Sequence, residues 1–388
     1  MFQVVDVKVI DKPVQGRAGS AEWAHWHPSR AYTVGIEEEV MLLDPRDWAL
    51  AHRSEEILAE LPAGLGWHAS GETHQATVEL RTSVHGSARA AAREAAHLRI
   101  GFSDQVAKRR LCTASSGTHP FALWTDTRVS RSARYQLVHE SMRELARREP
   151  TFALHVHVGV TDPDRAIALQ NRLRTHLPLL LALSANSPFW QGRSTGLSSS
   201  RTSIFQAFPR VGIPRVFRSY DHYVEVVDQL LRAQAFPTST FLWWDVRPQP
   251  SLGTVEVRVM DAQTTAADSG ALAALVQTIA HLELEEGYAA ERLVRSEEVI
   301  EENRFLAARD GMRARFIDPV TDRRVSAKEA LENLLRAGQD HADELGCETA
   351  LDHVRELALE TGADRQLRAA REYELQGLIE ILADEFAD

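Results

Sequence analysis

Residues 32–43 read Tyr-Thr-Val-Gly-Ile-Glu-Glu-Glu-Val-Met-Leu-Leu. The β-branched and aromatic residues predict a strand. Side chains alternate along a strand, so Glu37 and Glu39 share one face, about 7 Å apart, while Glu38 takes the other. Two carboxylates at that spacing repel each other unless a cation lies between or beside them, and hard oxygen ligands suit Mg²⁺ or Mn²⁺. A charged edge strand facing water would show the same pattern. Three successive acids inside an otherwise apolar strand favour the metal.

The same kind of face recurs along the chain. Strands are predicted at Thr77–Thr82, Phe152–Val160 and Gly253–Met260. In the first, Thr77, Glu79 and Arg81 share a face, and Glu72-Thr73-His74-Gln75 precedes them. In the second, His155 and His157 point the same way; imidazole is softer than Mg²⁺ prefers, which leaves one of them for phosphate or substrate. In the third, Glu256 and Arg258 lie opposite Val255, Val257 and Val259. A carboxylate for metal beside a guanidinium for phosphate oxygens is what phosphoryl transfer requires, although a cross-strand salt bridge would look alike. Parallel strands covered on both sides are apolar throughout, whereas three of these four carry charge on one face. The sequence therefore predicts an α+β fold, in which an antiparallel sheet lines a polar cavity and helices pack behind it.

Helices are expected between the strands: Gly86–Leu111, Ala-rich with basic residues along one side; Val129–Arg148; a helix begun by Asp162 and Pro163; and Ala266 to about Arg309. Beyond Asp318 the chain reads as almost pure helix, with a Ser326/Glu329 capping box and Gly338 as a left-handed stop. Residues 1–31 read as an N-terminal leader or linker, and 32–388 as one domain whose helical C-terminal layer is 318–388. An apolar helix feeds the loop Ala185–Arg201, dense in Asn, Ser and Gly, where Arg193 and Arg201 could hold carboxylate or phosphate; ordinary surface-loop chemistry is the alternative.

Of 388 residues, 44% are hydrophobic and 26% charged, a soluble globular balance. The net charge of −11 and the lack of a basic block argue against nucleic acid and anionic lipid as partners. The only cysteines, Cys112 and Cys347, can build neither a disulfide framework nor a thiolate zinc site, which fits a reducing cytoplasm. The start of the chain lacks the pattern of a signal peptide, and the apolar run Leu177–Leu183 is far short of the ~20 residues of a membrane span. No Walker A loop, dinucleotide glycine fingerprint or Gly-x-Ser-x-Gly elbow accompanies the acidic faces, so the expected chemistry is metal-centred.

Taken in order, GIEEEVMLLDP (35–45), ETHQATVELRT (72–82), GTHPFA (117–122), LHVHVGV (154–160), SANSPFWQGRSTGLSSSR (184–201) and WWDVRPQPSLGTVEVRVMDAQT (243–264) resemble the YbdK-type carboxylate-amine ligases, the second family of glutamate-cysteine ligases. The resemblance runs from about Tyr32 to the C-terminus. It implies the glutamine-synthetase-like catalytic fold, a curved antiparallel sheet forming a funnel for ATP and divalent metal. It further implies that Glu37, Glu39 and Glu79 are metal ligands with Glu72 nearby, that His155 and Glu256 hold the metal bridging the ATP phosphates, and that Arg258 faces the γ-phosphoryl group. His157, Arg193 and Arg201 become substrate or phosphate contacts.

The implied reaction is a carboxylate, such as the γ-carboxylate of glutamate, attacking ATP to give an acyl phosphate that an amine such as cysteine then captures; a homodimer is implied as well. Thr73 and His74 stand where the family has an apolar pair, Arg81 and Ser83 where it often has Asn and Pro, Gln249 for a common His, and Met260 for a common Cys. None removes a proposed ligand. The alternatives are a metal-dependent hydrolase built on the His-x-His strand, a related ligase acting on a carboxylate other than glutamate, and a binding protein that has lost turnover. The hydrolase would need further histidines on later strands, whereas His176, His222, His281, His341 and His353 fall mostly in helical segments.

Overall fold

A computed structural model describes residues 21–148 and 150–387. All four expected strands are present, side by side in one eight-stranded sheet whose pairings are antiparallel. In chain order the sheet strands are β1 (Val34–Asp44), β2 (Ala49–Leu50), β3 (Ala69–Gly71), β4 (Thr77–Arg81), β5 (Cys112–Ala114), β6 (Ala153–Gly159), β7 (Val246–Gln249) and β8 (Thr254–Asp261). They lie in the order β7-β8-β6-β1-β4-β3, and β2 and β5 pair with the far end of β1.

The alternation along β1 decides what each face meets. On the back face, Val34 and Ile36 join the main core, while Val40 and Leu42 join a second one with Val78, Leu80, Phe102 and Val106. Glu38 sits between the two. Helices Ala88–Ala107 and Ala266–Glu285 cover this face, and they approach so closely that a Cβ on Gly270 would lie 2.5 Å from the Ala92 methyl. Arg99, from the first of these helices, reaches Glu38 with Nε (3.0 Å) and Nη2 (2.7 Å). On the front face, beyond Glu37 and Glu39, Met41 and Leu43 pack with Phe152, Phe189, Leu378 and Leu382.

Four local expectations give way to the structure. Residues 1–20 of the expected leader lie outside the described residues, but 21–31 are no linker: Trp26 is buried in the main core, Ala24 O accepts from the Tyr220 hydroxyl, and His27 N–H bonds to Pro250 O. Trp23 and Trp26 in an unpatterned stretch supply the apolar area that docks it. The Val129–Arg148 helix is shorter, Ala133–Met142 followed by a 3₁₀ turn. The C-terminal layer is preceded by a hairpin, Arg315–Asp318 with Arg323–Ser326. Ser326 caps the next helix by accepting from Glu329 N–H, but Gly338 ends it at φ −84°, outside the left-handed region, because a second helix, Gln339–Leu345, follows at once.

Candidate active site

Register brings the predicted residues together. Glu37 lies opposite His155 on β6 and Arg81 on β4, Glu39 opposite Glu79, and Glu256 opposite His157. Cross-strand partners share a face, so acids, imidazoles and guanidinium groups separated by more than 200 residues converge on one wall. Between β6 and β8 the register slips by one residue, from Val257↔Val156 to Met260↔Leu154. This is a β-bulge, which bends a strand and re-aims its side chains. Arg258 stands within it, its Nη1 on Glu256 Oε1 and 3.5 Å from His155 Nδ1.

Two candidate ligand triads share Glu37. Glu37, His157 and Glu256 offer atoms within 4.8 Å of one another, and so do Glu37, Glu79 and His155. Glu37 Oε1 is 3.5 Å from His157 Nε2, and its Oε2 is 3.5 Å from His155 Nδ1. Both imidazole Nε2 atoms are buried without a hydrogen-bond partner. Such atoms are costly unless something else completes them, and a set of carboxylates and open imidazole nitrogens fits a divalent cation. The surrounding contacts fix these ligands: His157 Nδ1 lies 2.9 Å from Thr254 Oγ1, Ser70 Oγ donates to Glu79, and Glu256 Oε2 accepts from Arg247 Nε (2.7 Å) and Gln249 Nε2 (2.6 Å).

The electrostatics split the acids in two. Burial alone would raise the Glu37 carboxyl, but His157 and His155 outweigh it and hold it below the ordinary carboxylate range. Glu256 is likewise held low, with Arg247 and Arg258 overcoming its burial. Glu39 goes the other way, to about 8, through burial and then the charge of Glu72; Glu72 and Glu79 are raised by burial as well. Burial, then the nearby Arg258, brings His155 down to about 4, so it presents a neutral ring.

Glu39 and Glu72 line a cavity with His155, Arg201 and Arg258, to which Phe205, Phe208 and Trp243 add apolar surface. Ala153 N–H fixes Glu39, and Thr73 N–H with the Tyr135 hydroxyl fixes Glu72. Arg201 lines this cavity, but its guanidinium is spent partly on backbone carbonyls. The structure does not bring Arg193 to the site: it lies exposed in the small hairpin Phe189–Trp190/Arg193–Ser194.

Sequence pattern alone misses Arg247, whose only signal is its alternation with Gln249 ahead of β8, and Tyr135. It also misses Asp261, buried at the end of β8 and accepting from Asn186 N–H, Ser187 Oγ and Ser199 Oγ. A Cβ on Gly117 would sit 2.6 Å from the Asp261 carboxyl carbon, which explains why GTHPFA needs its glycine there. The later histidines serve elsewhere: His176 pairs with Glu283, His281 with His341, and His353 with Asp268.

An antiparallel sheet that gathers acids, imidazoles and arginines on one face, with helices behind, is the arrangement that the resemblance to glutamine-synthetase-like ligases implies. The sequence profile of Glutamate-cysteine ligase family 2 (GCS2) matches residues 33–384. A Rubrobacter xylanophilus protein named "Putative glutamate--cysteine ligase 2-1" is 41% identical over 320 residues, 82% of this chain and 85% of that one. A Herpetosiphon aurantiacus protein named "Putative glutamate--cysteine ligase 2" is 37% identical, covering 92% and 93%. Among solved structures, a Francisella tularensis glutamate-cysteine ligase in complex with AMP has the same fold, with TM-score 0.67 at 14% identity and 93% and 89% of the two chains covered. A bifunctional glutathione synthetase from Pasteurella multocida gives the same TM-score at 15% identity, over 92% of this chain and 52% of that one. The chain belongs to glutamate-cysteine ligase family 2 and is an ATP-dependent carboxylate-amine ligase.

Proposed function

We propose that the enzyme joins the γ-carboxylate of glutamate to an amine, cysteine being the first candidate, with Mg²⁺ or Mn²⁺ as cofactor. The observation that carries this reading is the pair of triads sharing Glu37, in which the buried Nε2 atoms of His155 and His157 have no hydrogen bond, with Arg258 Nη1 3.5 Å from His155 Nδ1. A glutamate carboxylate oxygen attacks the γ-phosphorus of ATP as the bond to ADP breaks; the amine nitrogen then attacks the acyl carbon, phosphate leaves, and the amine gives up its proton. Glu37, Glu79, His155, His157 and Glu256 would hold divalent cation, which supplies charge neutralisation at the migrating phosphoryl group. Arg258 stabilises the same charge with fixed donors, and Glu256 holds that guanidinium in place. Glu39, expected as a metal ligand but in neither triad, and Glu72 line the adjoining cavity and contact substrate in this reading; Arg201 lines it too but is engaged with backbone carbonyls, and the exposed Arg193 has no support from the geometry.

A cytoplasmic setting belongs with this reading and is supported by two free thiols, Cys112 and Cys347; the homodimer rests on resemblance alone. Among the described residues no helix is long and apolar enough to cross a membrane. The test is ADP release from ATP and Mg²⁺ with glutamate and a panel of amines including cysteine. Release that needs both glutamate and an amine is expected, and a panel in which no amine raises it above background overturns the reading.

A further inference from the structure

The bulge that aims Arg258 takes backbone groups out of the regular ladder, and three of them next to Arg258 find partners on other elements. Arg258 N–H bonds to Asp245 O at 2.7 Å. The Arg258 carbonyl accepts from Arg201 Nη2 at 3.3 Å, and the Val259 carbonyl from Arg201 Nη1 at 3.2 Å. One guanidinium thus spans the two carbonyls at the point where register is lost. Arg201 is itself held: its N–H bonds to Ser187 Oγ, its Nη1 lies 3.9 Å from Asp261 Oδ1, and its guanidinium lies over the Phe205 ring. Asp261 is anchored by Asn186, Ser187 and Ser199. The two ends of the loop expected to bind substrate, at Asn186–Ser187 and Ser199–Arg201, are therefore a frame for β8, while its tip around Arg193 stays exposed.

We propose that Arg201 is a positioning residue which, braced by Asp261, holds the Arg258–Val259 bulge and thereby aims the Arg258 guanidinium at the reacting phosphoryl group. A planar fork suits this role because two N–H groups reach two adjacent carbonyls at once, which a lysine ammonium cannot do in the same geometry. The proposal rests on the ligase reading, but it assigns Arg201 to the protein backbone as its principal partner and makes its effect run through Arg258.

The experiment is a double-mutant cycle on the full-length enzyme with Arg201→Lys, Arg258→Lys and the pair, read as single-turnover ADP release together with KM for ATP and glutamate. Arg201→Lys is expected to lower kcat by about 10- to 100-fold, the scale of a misplaced catalytic group, with both KM values within about twofold of wild type. The double variant should be no slower than Arg258→Lys alone, since residues acting as a unit are non-additive. Multiplicative losses, or a raised glutamate KM with kcat preserved, overturn the proposal in favour of a direct substrate contact. Hydrogen exchange supplies a readout independent of turnover: amides 257–261 should exchange faster in Arg201→Lys while those of β1 and β4 are unchanged, and unchanged exchange at the bulge also overturns it. Asp261→Asn, which leaves Arg201 intact, should show the same kcat-specific loss in smaller measure. A wild-type enzyme with no amine-dependent ADP release would instead fail the ligase reading, and the exchange result would still judge the strut.

Discussion

Glu37 and Glu38 are neighbours in sequence and opposites in circumstance. Glu38 points to the back of the sheet and is fully matched: Arg99 gives it two donors and Ser269 Oγ a third, while the remaining Arg99 N–H groups go to the carbonyls of Gln263, Thr264 and Phe386. Glu37 points forward among groups that the protein leaves incomplete, with His155 Nε2, His157 Nε2 and Arg258 Nε all buried without a hydrogen bond, although His157 Nε2 lies 3.5 Å from Glu37 Oε1. A satisfied buried network fixes a fold, and an unsatisfied one marks where something else is to bind. The same residue type, one position apart, is structural on one face and chemical on the other.

The largest effect is expected from breaking the front face alone. Glu256→Gln removes the charge that holds Arg258 and completes one triad, so turnover should fall by at least about a thousandfold, the upper range for losing one preorganised electrostatic group. Circular dichroism should show the fold retained, because glutamine keeps the shape and one acceptor for Arg247 and Gln249. Near-normal turnover in this variant would remove Glu256 from the metal and phosphate site.

The back face should answer in stability instead. Arg99→Met leaves the Glu38 carboxylate buried without its partner, at a cost of about 3–5 kcal/mol, while kcat per folded molecule stays close to wild type. Pairing it with Glu38→Leu should recover much of that loss, because a buried ion pair contributes little beyond what apolar packing would. Urea denaturation measures both, and a double variant as unstable as Arg99→Met would mean that the network does more than satisfy itself.

Ligand linkage separates the faces again, more gently. Mg²⁺ at 100 times its dissociation constant would stabilise a protein that binds it only when folded by about 2.7 kcal/mol. Thermal unfolding with and without Mg²⁺ should show this rise in wild type and in the Glu38→Gln variant, and lose it in Glu37→Gln. Equal shifts in all three would place the cation elsewhere.

The strands are legible because alternation is written into the sequence, and GIEEEV and LHVHV state their faces outright. The partner of Glu38 is not. Arg99 lies in an Ala-rich helix whose basic residues read as a solvated side, and only the packing of that helix onto β1 reveals it as buried. The bulge leaves only a faint trace: VEVRV alternates strictly, and the single break, Val259-Met260 running together ahead of Asp261, coincides with the slip in register but on paper looks like no more than the end of a strand. Arg193 and Arg201 are equivalent as residues in one loop and differ because one follows a capped turn into the core while the other caps nothing. Residues 21–31 read as a linker since two tryptophans without a period carry no secondary-structure signal, although they carry burial.

The smallest expected effect lies farther from both faces, where Asp268 of helix Ala266–Glu285 meets His353 and Arg365 of the C-terminal layer. The Asp268 hydrogen bond raises the His353 ring above its ordinary value in spite of burial, while His353 and Arg365 overcome the burial of Asp268 and lower its carboxyl. A raised histidine stabilises the fold fully below its unfolded pKa, about 6.5, and loses that contribution as pH rises through the folded value; a lowered aspartate contributes above about 3.9 and loses it as pH falls through its folded value. The joint should be strongest near pH 5. His353→Gln should therefore lower Tm most near pH 5 and least by pH 9, with the difference modest because the imidazole is partly exposed. Turnover should not follow this profile, since the joint reaches the site only through helix packing; a Tm gap that is constant with pH would show that His353 acts there as a neutral spacer.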